Sequence, residues 1–458
     1  MSTITPPRPP PGTEQPGRAA APDRPGSLAL RALLVLAVTA VAAFWWTGTP
    51  SGTGTTPGGA VTALGELTGL VASVLVCAQV LLTGRVPWFE RSVGLDRLVS
   101  WHRTLGTSVV LLVLTHVLLM VLGGALLSRN SLWSQAVTTV TTQPEMLAAV
   151  AGTVLFVLVG VTSARLLRAY LSYEAWFVVH LSVYLGIYLT FGHQIAAGAH
   201  FVGDPAARLA WILLYVGTAA ALLTWRVVLP LADVVRHAPR VTAVVPEAGG
   251  MTSVWVSGSG LGDLGATAGQ FFLVRFLVRG HLVSAHPYSV SAARTGDHLR
   301  FTIGALGDHS RAVARLRPGT RVLLEGPFGR FTAARARRRG VLLVAGGAGV
   351  GPVRALAEEL RLRGHDVVVV HRARSAADLG LGSELAAEGI DYRPVVGRRS
   401  ELGHDPLDAG SLPALVPDLP QRDVFVCGPP GMVTTVVRSA RAAGVPRSAV
   451  HHEELSLS

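Results

Sequence analysis

WHRTLGTSVVLLVLTH, residues 101–116, is an apolar segment that carries one histidine near its start and another at its end, His102 and His116. A second apolar segment, residues 173–195, carries His180 and His193. Neutral imidazoles are costly to bury in apolar helices unless something binds them. Haem iron fits this pattern, because imidazole nitrogen is a common axial ligand and a tetrapyrrole needs two facing helices. The four histidines are therefore predicted to bind haem iron.

The spacing of the histidines predicts how they pair. At a rise of about 1.5 Å per residue, the ligands are roughly 21 Å apart in the first helix and roughly 20 Å apart in the second. Matching them level by level pairs His102 with His180 and His116 with His193. Thirteen residues are not a whole number of helical turns. The second helix is therefore expected either to be distorted, near Gly186, or to hold its haems at different azimuths.

The composition indicates a membrane protein. Half of the 458 residues are hydrophobic and only 15% are charged, and the apolar residues are concentrated in the first half of the chain. The net charge of +12 comes from arginine alone, since the chain has no lysine. Without a basic helix or an aromatic-interleaved patch, the expected partners are the lipid bilayer and cofactor phosphates, not nucleic acid. Two cysteines, Cys77 and Cys427, exclude a disulfide framework and a four-cysteine iron–sulfur cluster.

Six apolar segments are each about long enough to cross a hydrocarbon core of ~30 Å. They cover residues 28–47, 61–83, 104–127, 145–167, 174–196 and 207–230. Arginines are concentrated before the first segment and after the second, fourth and sixth, whereas the opposite loops are almost uncharged. The positive-inside rule then predicts a multi-pass plasma-membrane protein with both termini in the cytoplasm. Both histidine-bearing helices would run outward in the same direction.

The second half changes in pattern after a short predicted linker, residues 232–240. Alternating apolar and polar runs predict an antiparallel β-barrel, and beyond it strands alternate with helices as in a parallel α/β domain. The predicted fold class is a multi-domain membrane protein: a six-helix transmembrane bundle, an antiparallel β-barrel and a parallel α/β domain. The predicted boundaries are 1–27 for a disordered N-terminal tail, 28–232 for the bundle, 233–335 for the barrel and 336–458 for the α/β domain.

A glycine-rich loop, GGAGVGP at residues 346–352, lies directly after an apolar strand and before a helix. Glycines allow the backbone to approach a pyrophosphate, and the helix N-terminus offers free N–H groups. The alternative to a pyrophosphate-binding loop is a plain turn between a strand and a helix, with no ligand. CGPPGM, residues 427–432, ends a later strand, where open α/β sheets bind ligands. If Cys427 is considered alone, an alternative to a ligand-binding role is that it is a buried structural thiol.

Five motifs occur in the order found in the ferredoxin–NADP reductase superfamily. They are HPYSVS (286–291), GALGDHS (304–310), EGPFGRF (325–331), GGAGVGP and CGPPGM. Together with the four-histidine, six-span domain, the chain resembles the ferric reductase and NADPH oxidase family. This resemblance implies two b-type haems on His102, His116, His180 and His193, an FAD bound by the barrel domain, and NAD(P)H bound by the α/β domain.

The resemblance also implies the nucleotide-binding residues, with Tyr288 on the flavin ring and Ser289 near its N5 edge. The FAD-binding set is His286, Pro287, Tyr288, Ser289, Gly304, Gly307, Asp308 and Ser310. The NAD(P)-binding set is Gly346, Gly347, Gly349, Val350, Pro352, Cys427, Gly428, Pro429 and Met432, with Arg372, Arg374, Arg398 and Arg399 as candidates for the adenosine 2′-phosphate. A guanidinium can contact that phosphate bidentately, which favours NADPH over NADH.

The chain departs from the family pattern at two positions. His309 stands where the second flavin motif usually has an aromatic residue, and Leu455 stands where relatives often place an aromatic that covers the flavin. Stacking that helps to gate entry of the nicotinamide is therefore missing from the sequence.

The predicted function is transmembrane electron transfer from cytoplasmic NAD(P)H through FAD and two haems to an external acceptor, most simply ferric iron or a ferric chelate. One alternative is reduction of dioxygen to superoxide, for which His200 and Arg129 are the external candidate residues. A second is an electron-relay subunit for a membrane or periplasmic protein partner. A third, a non-enzymatic membrane scaffold, predicts no b-type haem spectrum.

Overall fold

The computed structural model describes residues 25–168, 170–279, 281, 285–293, 296–387 and 389–454. Its first part is helical. The helices are α1 (Pro25–Gly48), α2 (Pro57–Thr83), α3 (Pro87–Val93), α4 (Leu95–Ser128), α5 (Leu132–Thr142), α6 (Met146–Ser163), α7 (Arg165–Arg168), α8 (Tyr173–Leu181), α9 (Val183–Ala197), α10 (Ala199–Val202), α11 (Pro205–Leu223) and α12 (Leu229–His237). Most of the predicted N-terminal tail, residues 1–24, lies outside the described residues.

Six helical stretches in the described part are long and apolar enough to cross a membrane, which confirms the predicted six-span pattern. The sixth stretch, Pro205–His237, extends further than predicted, and most of the proposed linker is therefore helical. The chain leaves this helix at Ala238, which has φ 42°, directly before Pro239. The predicted linker, residues 232–240, is therefore helical up to His237, where α12 ends.

Local sequence signals fix several helix ends. Thr56 caps α2 by accepting a hydrogen bond from the Gly59 amide at 3.1 Å, and proline follows at the first helical position. Asp204 caps α11 by accepting from the amides of Ala206 and Ala207 at 2.9 and 3.0 Å. These caps satisfy amide groups that would otherwise lack partners at the start of each helix.

Helices α2 and α4 pack closely through small residues. A Cβ on Gly123 of α4 would lie 2.7 Å from the backbone nitrogen of Thr62 in α2. A Cβ on Gly65 of α2 would lie 2.9 Å from the sulfur of Met120 in α4. Small residues at such contacts allow membrane helices to approach backbone to backbone. The first histidine helix is thereby held against α2.

The helix that carries His180 and His193 is distorted, but not at the predicted residue. It breaks at Ser182, between α8 and α9, where the Ser182 amide and hydroxyl both bond to the Val179 carbonyl, at 3.1 and 2.7 Å. Gly186 lies inside regular helix and instead packs against α6, where a Cβ would lie 3.2 Å from the Gly152 carbonyl oxygen. The break changes the helical phase between the two histidines.

The next part of the chain forms two three-stranded antiparallel sheets, with orders β1-β2-β5 and β4-β3-β6. The strands are β1 (Arg240–Glu247), β2 (Met251–Ser257), β3 (Phe271–Phe276), β4 (His286–Ser289), β5 (His298–Gly304) and β6 (Val322–Phe328), and the short helix α13 (Asp308–Ala312) lies between β5 and β6. Single bridges, Arg240–Arg321 and Val290–Phe301, connect the sheets at their edges. The antiparallel strands are as predicted, but they do not form one continuous closed barrel.

The last part contains a five-stranded sheet of order β11-β10-β7-β8-β9, parallel throughout. Its elements are β7 (Gly340–Gly346), α14 (Val350–Leu362), β8 (Asp366–Ala373), α15 (Gly382–Ala387), β9 (Asp391–Val396), α16 (Arg399–Leu402), α17 (Ser411–Leu415), β10 (Asp423–Gly428), α18 (Pro430–Ala442) and β11 (Val450–Glu454). The central strand β7 is buried along most of its length, as expected for a sheet covered on both faces.

Charged groups join the two sheet-containing parts. The guanidinium of Arg300 on β5 is 5% exposed and bonds to the Glu384 carboxylate of α15 at 2.8 Å. Glu358 and Glu359 of α14 accept from the amides of Ala293 and Ala268 at 3.0 and 2.9 Å. Because these carboxylates of α14 and α15 bond to β5 and to loops beside β3 and β4, they fix the glycine-rich loop and α14 next to the predicted flavin motifs.

Candidate redox site

The four histidines lie in two facing pairs inside the helical domain. The ring centroids of His102 and His180 are 6.0 Å apart, and those of His116 and His193 are 6.4 Å apart. These are the pairs that level-by-level matching predicts, and they require α4 and the α8–α9 helix to run in the same direction. The structure therefore brings together all four predicted ligands in two layers.

The distances fit a metal ion between the rings of each pair. Two imidazoles that bind one metal ion from opposite sides, each through a bond of about 2 Å, have ring centroids roughly 6 Å apart. The rings of His102 and His180 are inclined at 64°, and those of His116 and His193 at 38°. The donor set, two neutral nitrogens per layer between apolar helices, suits haem iron.

Hydrogen bonds orient three of the rings. Nδ1 of His102 lies 3.2 Å from the Gln79 carbonyl oxygen, and Nδ1 of His116 lies 2.8 Å from the Gly65 carbonyl oxygen, both on α2. Nδ1 of His180 lies 3.3 Å from the Ser163 hydroxyl. Ligating histidines usually bond their second nitrogen in this way, so Nε2 of each ring would be the atom that binds a metal.

Sequence reasoning did not identify α2 as the helix that supports these ligands. A Cβ on Gly69 would lie 2.7 Å from Nδ1 of His116, so the ring needs a glycine at that position. Gly65 and Gly69 form a G-x-x-x-G pattern, GELTG, which is typical of closely packed membrane helices. That pattern is the sequence signal that could have located the supporting helix.

The two external candidates lie in different settings. His200, on the short helix α10, faces Glu66 of α2 with Nε2 3.4 Å from a carboxylate oxygen, and its side chain is 6% exposed. Arg129 ends α4 in a left-handed conformation with φ 54°. The pairing of His200 with a membrane carboxylate was not predicted, because nothing in the local sequence connects the two residues.

The first flavin motif forms an edge of the antiparallel sheet. His286, Pro287, Tyr288 and Ser289 make up β4, and each is half-buried. Tyr288 is paired with Phe272 of β3, and burial raises the pKa of its phenol. The hydroxyl of Ser310 bonds to both the amide and the carbonyl of Gly307, at 2.8 and 3.0 Å. The GALGDHS loop is therefore closed on itself, and the side chain of Asp308 lies outside the described set.

The three glycine-rich motifs meet at one place. Gly349 packs against the end of β10 so closely that a Cβ would lie 2.2 Å from the Cys427 carbonyl oxygen. A Cβ on Gly304, in the second flavin motif, would lie 3.2 Å from the Cβ of Ala348. Gly347 has φ 55°, which favours glycine. The predicted FAD-binding and NAD(P)-binding loops are thus in contact.

The other predicted nicotinamide residues surround the start of two helices. Val350 and Pro352 lie in the first turn of α14, and Pro429 precedes α18. A Cβ on Gly346 would lie 2.6 Å from the sulfur of Met432. Cys427 is fully buried, and burial raises the pKa of its thiol. The side chain of Cys427 is therefore part of the sheet core. Only the backbone at Cys427 and Gly428 borders the glycine-rich loop, residues 346–352.

The candidate arginines for the 2′-phosphate divide into two groups. The guanidinium of Arg372 donates to the carbonyls of Ala373, Val395 and Gly397, so it holds together the ends of β8 and β9 and is already occupied. Arg399 pairs with Asp405 at 2.7 Å. Arg374 and Arg398 are exposed beyond the same strand ends, and Nε of Arg398 lies 4.0 Å from the exposed Glu401 carboxylate. The structure therefore favours these two arginines over Arg372 as ligands for a phosphate.

Comparison with known proteins gives matches for both types of domain. Residues 68–191 match the sequence model of a family described as ferric reductase like transmembrane component. An NADPH oxidoreductase of Mycobacterium tuberculosis is 29% identical over 204 residues, which cover 42% of this chain and 52% of that protein. A flavohemoprotein of Xylella fastidiosa is 26% identical over 202 residues, which cover 41% of this chain and 50% of that protein.

Among solved structures, a ferredoxin NADP+ reductase from Neisseria gonorrhoeae is similar with a TM-score of 0.40 and 20% identity, covering 48% of this chain and 98% of that one. The chain spans about half the length of the curated relatives named above.

Proposed function

Since the chain joins a ferric reductase-like transmembrane segment to a part similar to an NADPH oxidoreductase, we propose that it is a multi-pass oxidoreductase that transfers electrons across a membrane. The donor is cytoplasmic NAD(P)H, with NADPH favoured, and the path includes FAD and two b-type haems. The acceptor is external, most simply ferric iron or a ferric chelate. The two facing histidine pairs, at 6.0 and 6.4 Å, are the observation that supports this proposal most directly.

The protein's part in this function is to hold and orient. His102 with His180 and His116 with His193 would bind one haem iron per layer, and the Gln79 and Gly65 carbonyls fix two of the rings. Neighbouring carbonyls that accept from ligand imidazoles also increase the basicity of the ligand nitrogen. No side chain is needed as a general acid or base.

The contact between the nucleotide motifs suits transfer between two bound dinucleotides. When bound, a flavin accepts the two electrons of a hydride and can pass them on singly, as a haem requires. Tyr288 and Ser289 on β4 would lie along the flavin, and the loop at Gly347 and Gly349 would hold the nicotinamide nucleotide's pyrophosphate. The two motifs approach closely at Gly304 and Ala348, where a Cβ on Gly304 would lie 3.2 Å from the Cβ of Ala348.

The membrane orientation in the proposal has both termini in the cytoplasm of a cell whose plasma membrane the chain spans. The distribution of arginine supports it, because Arg85, Arg91, Arg97 and Arg103 lie at the end of the domain that carries His102. The same end contacts the sheet-containing part of the chain through Glu90 and Gly329, at 3.1 Å. The reductase module would then face the cytoplasm and the His116–His193 layer the outside.

A vesicle experiment tests the function and separates its alternatives. Inverted membrane vesicles with a ferric chelate and a ferrous indicator trapped inside receive NADPH from outside, so that iron reduction reports electron transfer across the membrane. Ferrous iron formed inside supports the proposal. Superoxide without ferrous iron would favour dioxygen as acceptor. If NADPH reduces the haem but neither product forms, and an added protein fraction then reoxidises the haem, the chain would be a relay subunit for a protein partner. Haem that stays oxidised with NADPH would contradict the proposed path.

A further inference from the structure

A small polar network lies inside the helical domain, beside the second pair of facing histidines. Its centre is Gln194 of α9, the residue that directly follows His193. Three donor atoms lie within hydrogen-bond distance of the side-chain oxygen of Gln194. They are Nε1 of Trp211 at 2.8 Å, the hydroxyl of Tyr215 at 3.2 Å and the hydroxyl of Ser73 at 3.3 Å. These four side chains, which we call the Gln194 network, join α9 to α11 and to α2.

The surroundings of Gln194 fit a carboxamide. The indole Nε1 of Trp211 can only donate, and the Thr190 carbonyl, 3.0 Å from Nε2 of Gln194, can only accept. The carboxamide satisfies both groups in one orientation, with its oxygen towards the indole and its nitrogen towards the carbonyl. Trp211 is 7% exposed and belongs to an apolar cluster with Val74 and Phe191. Because an unpaired polar group costs free energy in such surroundings, the network holds the three helices in one arrangement.

The Gln194 network reaches both histidines of this pair. On α9, Gln194 is the chain neighbour of His193. On α2, the single hydrogen of the Ser73 hydroxyl faces two acceptors, the oxygen of Gln194 and the Gly69 carbonyl at 2.9 Å. Gly69 packs against the ring of His116, where a Cβ would lie 2.7 Å from Nδ1. The network therefore connects the helix segment beside one imidazole to the helix segment beside the other.

This connection has a consequence for metal binding. Two imidazoles bind one haem iron only while their helices stay at a fixed separation, and here the ring centroids are 6.4 Å apart. Resting on the proposed function, we propose that the Gln194 network is a positioning device that keeps both imidazoles of the His116–His193 layer on one haem iron. Without the network the two helix segments separate, one imidazole leaves the iron, and an axial position opens. The His102–His180 layer, whose rings bond to other groups, is expected to be unaffected.

Carbon monoxide tests this proposal, because it binds reduced haem iron where an axial position is free. The full-length, haem-loaded protein in detergent is reduced with dithionite, and the CO difference spectrum gives the fraction of haem that binds CO. Gln194→Leu removes the acceptor with little change in size. Gln194→Glu keeps a side-chain oxygen that the three donors can reach. Gln143→Leu, at the exposed C-cap of α5, is the matched control.

Wild type, Gln194→Glu and Gln143→Leu are expected to form no CO adduct. Gln194→Leu is expected to bind CO at about half of its haem, which is the share of one layer in two. The spectral component that changes with CO should be the component that is missing from His193→Ala. Loss of one haem per polypeptide from Gln194→Leu, with both haems kept in Gln194→Glu, would support the proposal in the same way.

CO binding by wild type would overturn the proposal, and so would Gln194→Leu protein that holds two haems and forms no CO adduct. Equal CO binding in Gln194→Leu and Gln194→Glu would overturn it too, because the acceptor would then not be the cause. If Gln194→Leu does not fold, the double variant Trp211→Phe with Tyr215→Phe removes two donors and keeps both rings. It is expected to bind CO, and a double variant without a CO adduct would overturn the proposal. Wild type without haem would instead contradict the proposed function.

Discussion

Arg85 forms a buried ion pair with Glu325, which joins the turn after α2 to strand β6 across domains that are distant in sequence. The two side chains are 13% and 7% exposed. Beside this pair, the Gly329 amide donates to Glu90 at 3.1 Å and Arg330 donates to the Ser92 carbonyl at 3.2 Å. The EGPFGRF segment is thus attached to the end of the helical domain from which α4 leads to His102.

Arg85→Ala is expected to slow electron transfer from the flavin to the haems without slowing reduction of the flavin by NADPH. Removing one partner of a buried ion pair leaves an uncompensated charge and costs roughly 3–5 kcal/mol, which weakens the attachment of the reductase module. Stopped-flow absorbance separates the two steps. Arg91→Ala, an exposed arginine on α3, is the control. Equal haem reduction rates in both variants would show that the ion pair does not position the module.

Gly69→Ala is expected to lower the haem content of the layer formed by His116 and His193. The added Cβ would lie 2.7 Å from Nδ1 of His116, so the ring must move and its bond to the Gly65 carbonyl weakens. The haem-to-protein ratio of purified protein measures the effect. Gly217→Ala, in α11 where a Cβ meets nothing within 4 Å, should leave the ratio unchanged. A normal ratio in Gly69→Ala would contradict the role assigned to His116.

Gly349→Ala is expected to abolish tight binding of the nicotinamide nucleotide and to leave FAD bound. Its Cβ would lie 2.2 Å from the Cys427 carbonyl oxygen, and because that atom is backbone the loop must move. Such overpacking typically lowers the free energy of unfolding by about 1–3 kcal/mol. The melting temperature is therefore measured together with the Kd for NADP+, so that loss of folding is distinguished from loss of binding. Gly217→Ala, in α11 where a Cβ has open space, is the control. Unchanged nucleotide binding would exclude this loop as the pyrophosphate site.

Arg374→Ala and Arg398→Ala are expected to raise the KM for NADPH with little effect on NADH. Loss of a hydrogen bond to a charged phosphate costs roughly 1.5–3 kcal/mol, which corresponds to roughly 10- to 100-fold in KM. Arg372→Ala should instead lower the melting temperature, since its guanidinium bonds to three carbonyls. An NADPH-selective effect in Arg372→Ala alone would reverse this assignment.

The sequence was sufficient to predict the pairing of the histidines, because rise per residue and the direction of the helices together determine which residues lie at the same level. It also predicted six spans, since their apolar length is a local property.

Features that depend on distant contacts were not predictable. The Arg85–Glu325 pair and the Glu66–His200 pair join residues whose neighbours in sequence give no sign of a partner. The position of one local feature was also not predicted: the helix break lies at Ser182, where the side-chain hydroxyl competes for the Val179 carbonyl, and not at Gly186. The structural role of Arg372 was not predictable, because the carbonyls that it bonds to lie at the ends of neighbouring strands and cannot be recognised in a sequence. Leu455 lies outside the described residues, so its effect stays a prediction.

The most direct test of the two-layer arrangement is the haem stoichiometry of wild type and of single alanine variants of His180 and His193, measured as pyridine haemochrome per polypeptide. Two haems in wild type and one in each variant, with a different spectral component lost from each, is the predicted result. Unchanged haem content in both variants would contradict the assignment of these histidines as ligands, and with it the proposed path across the membrane.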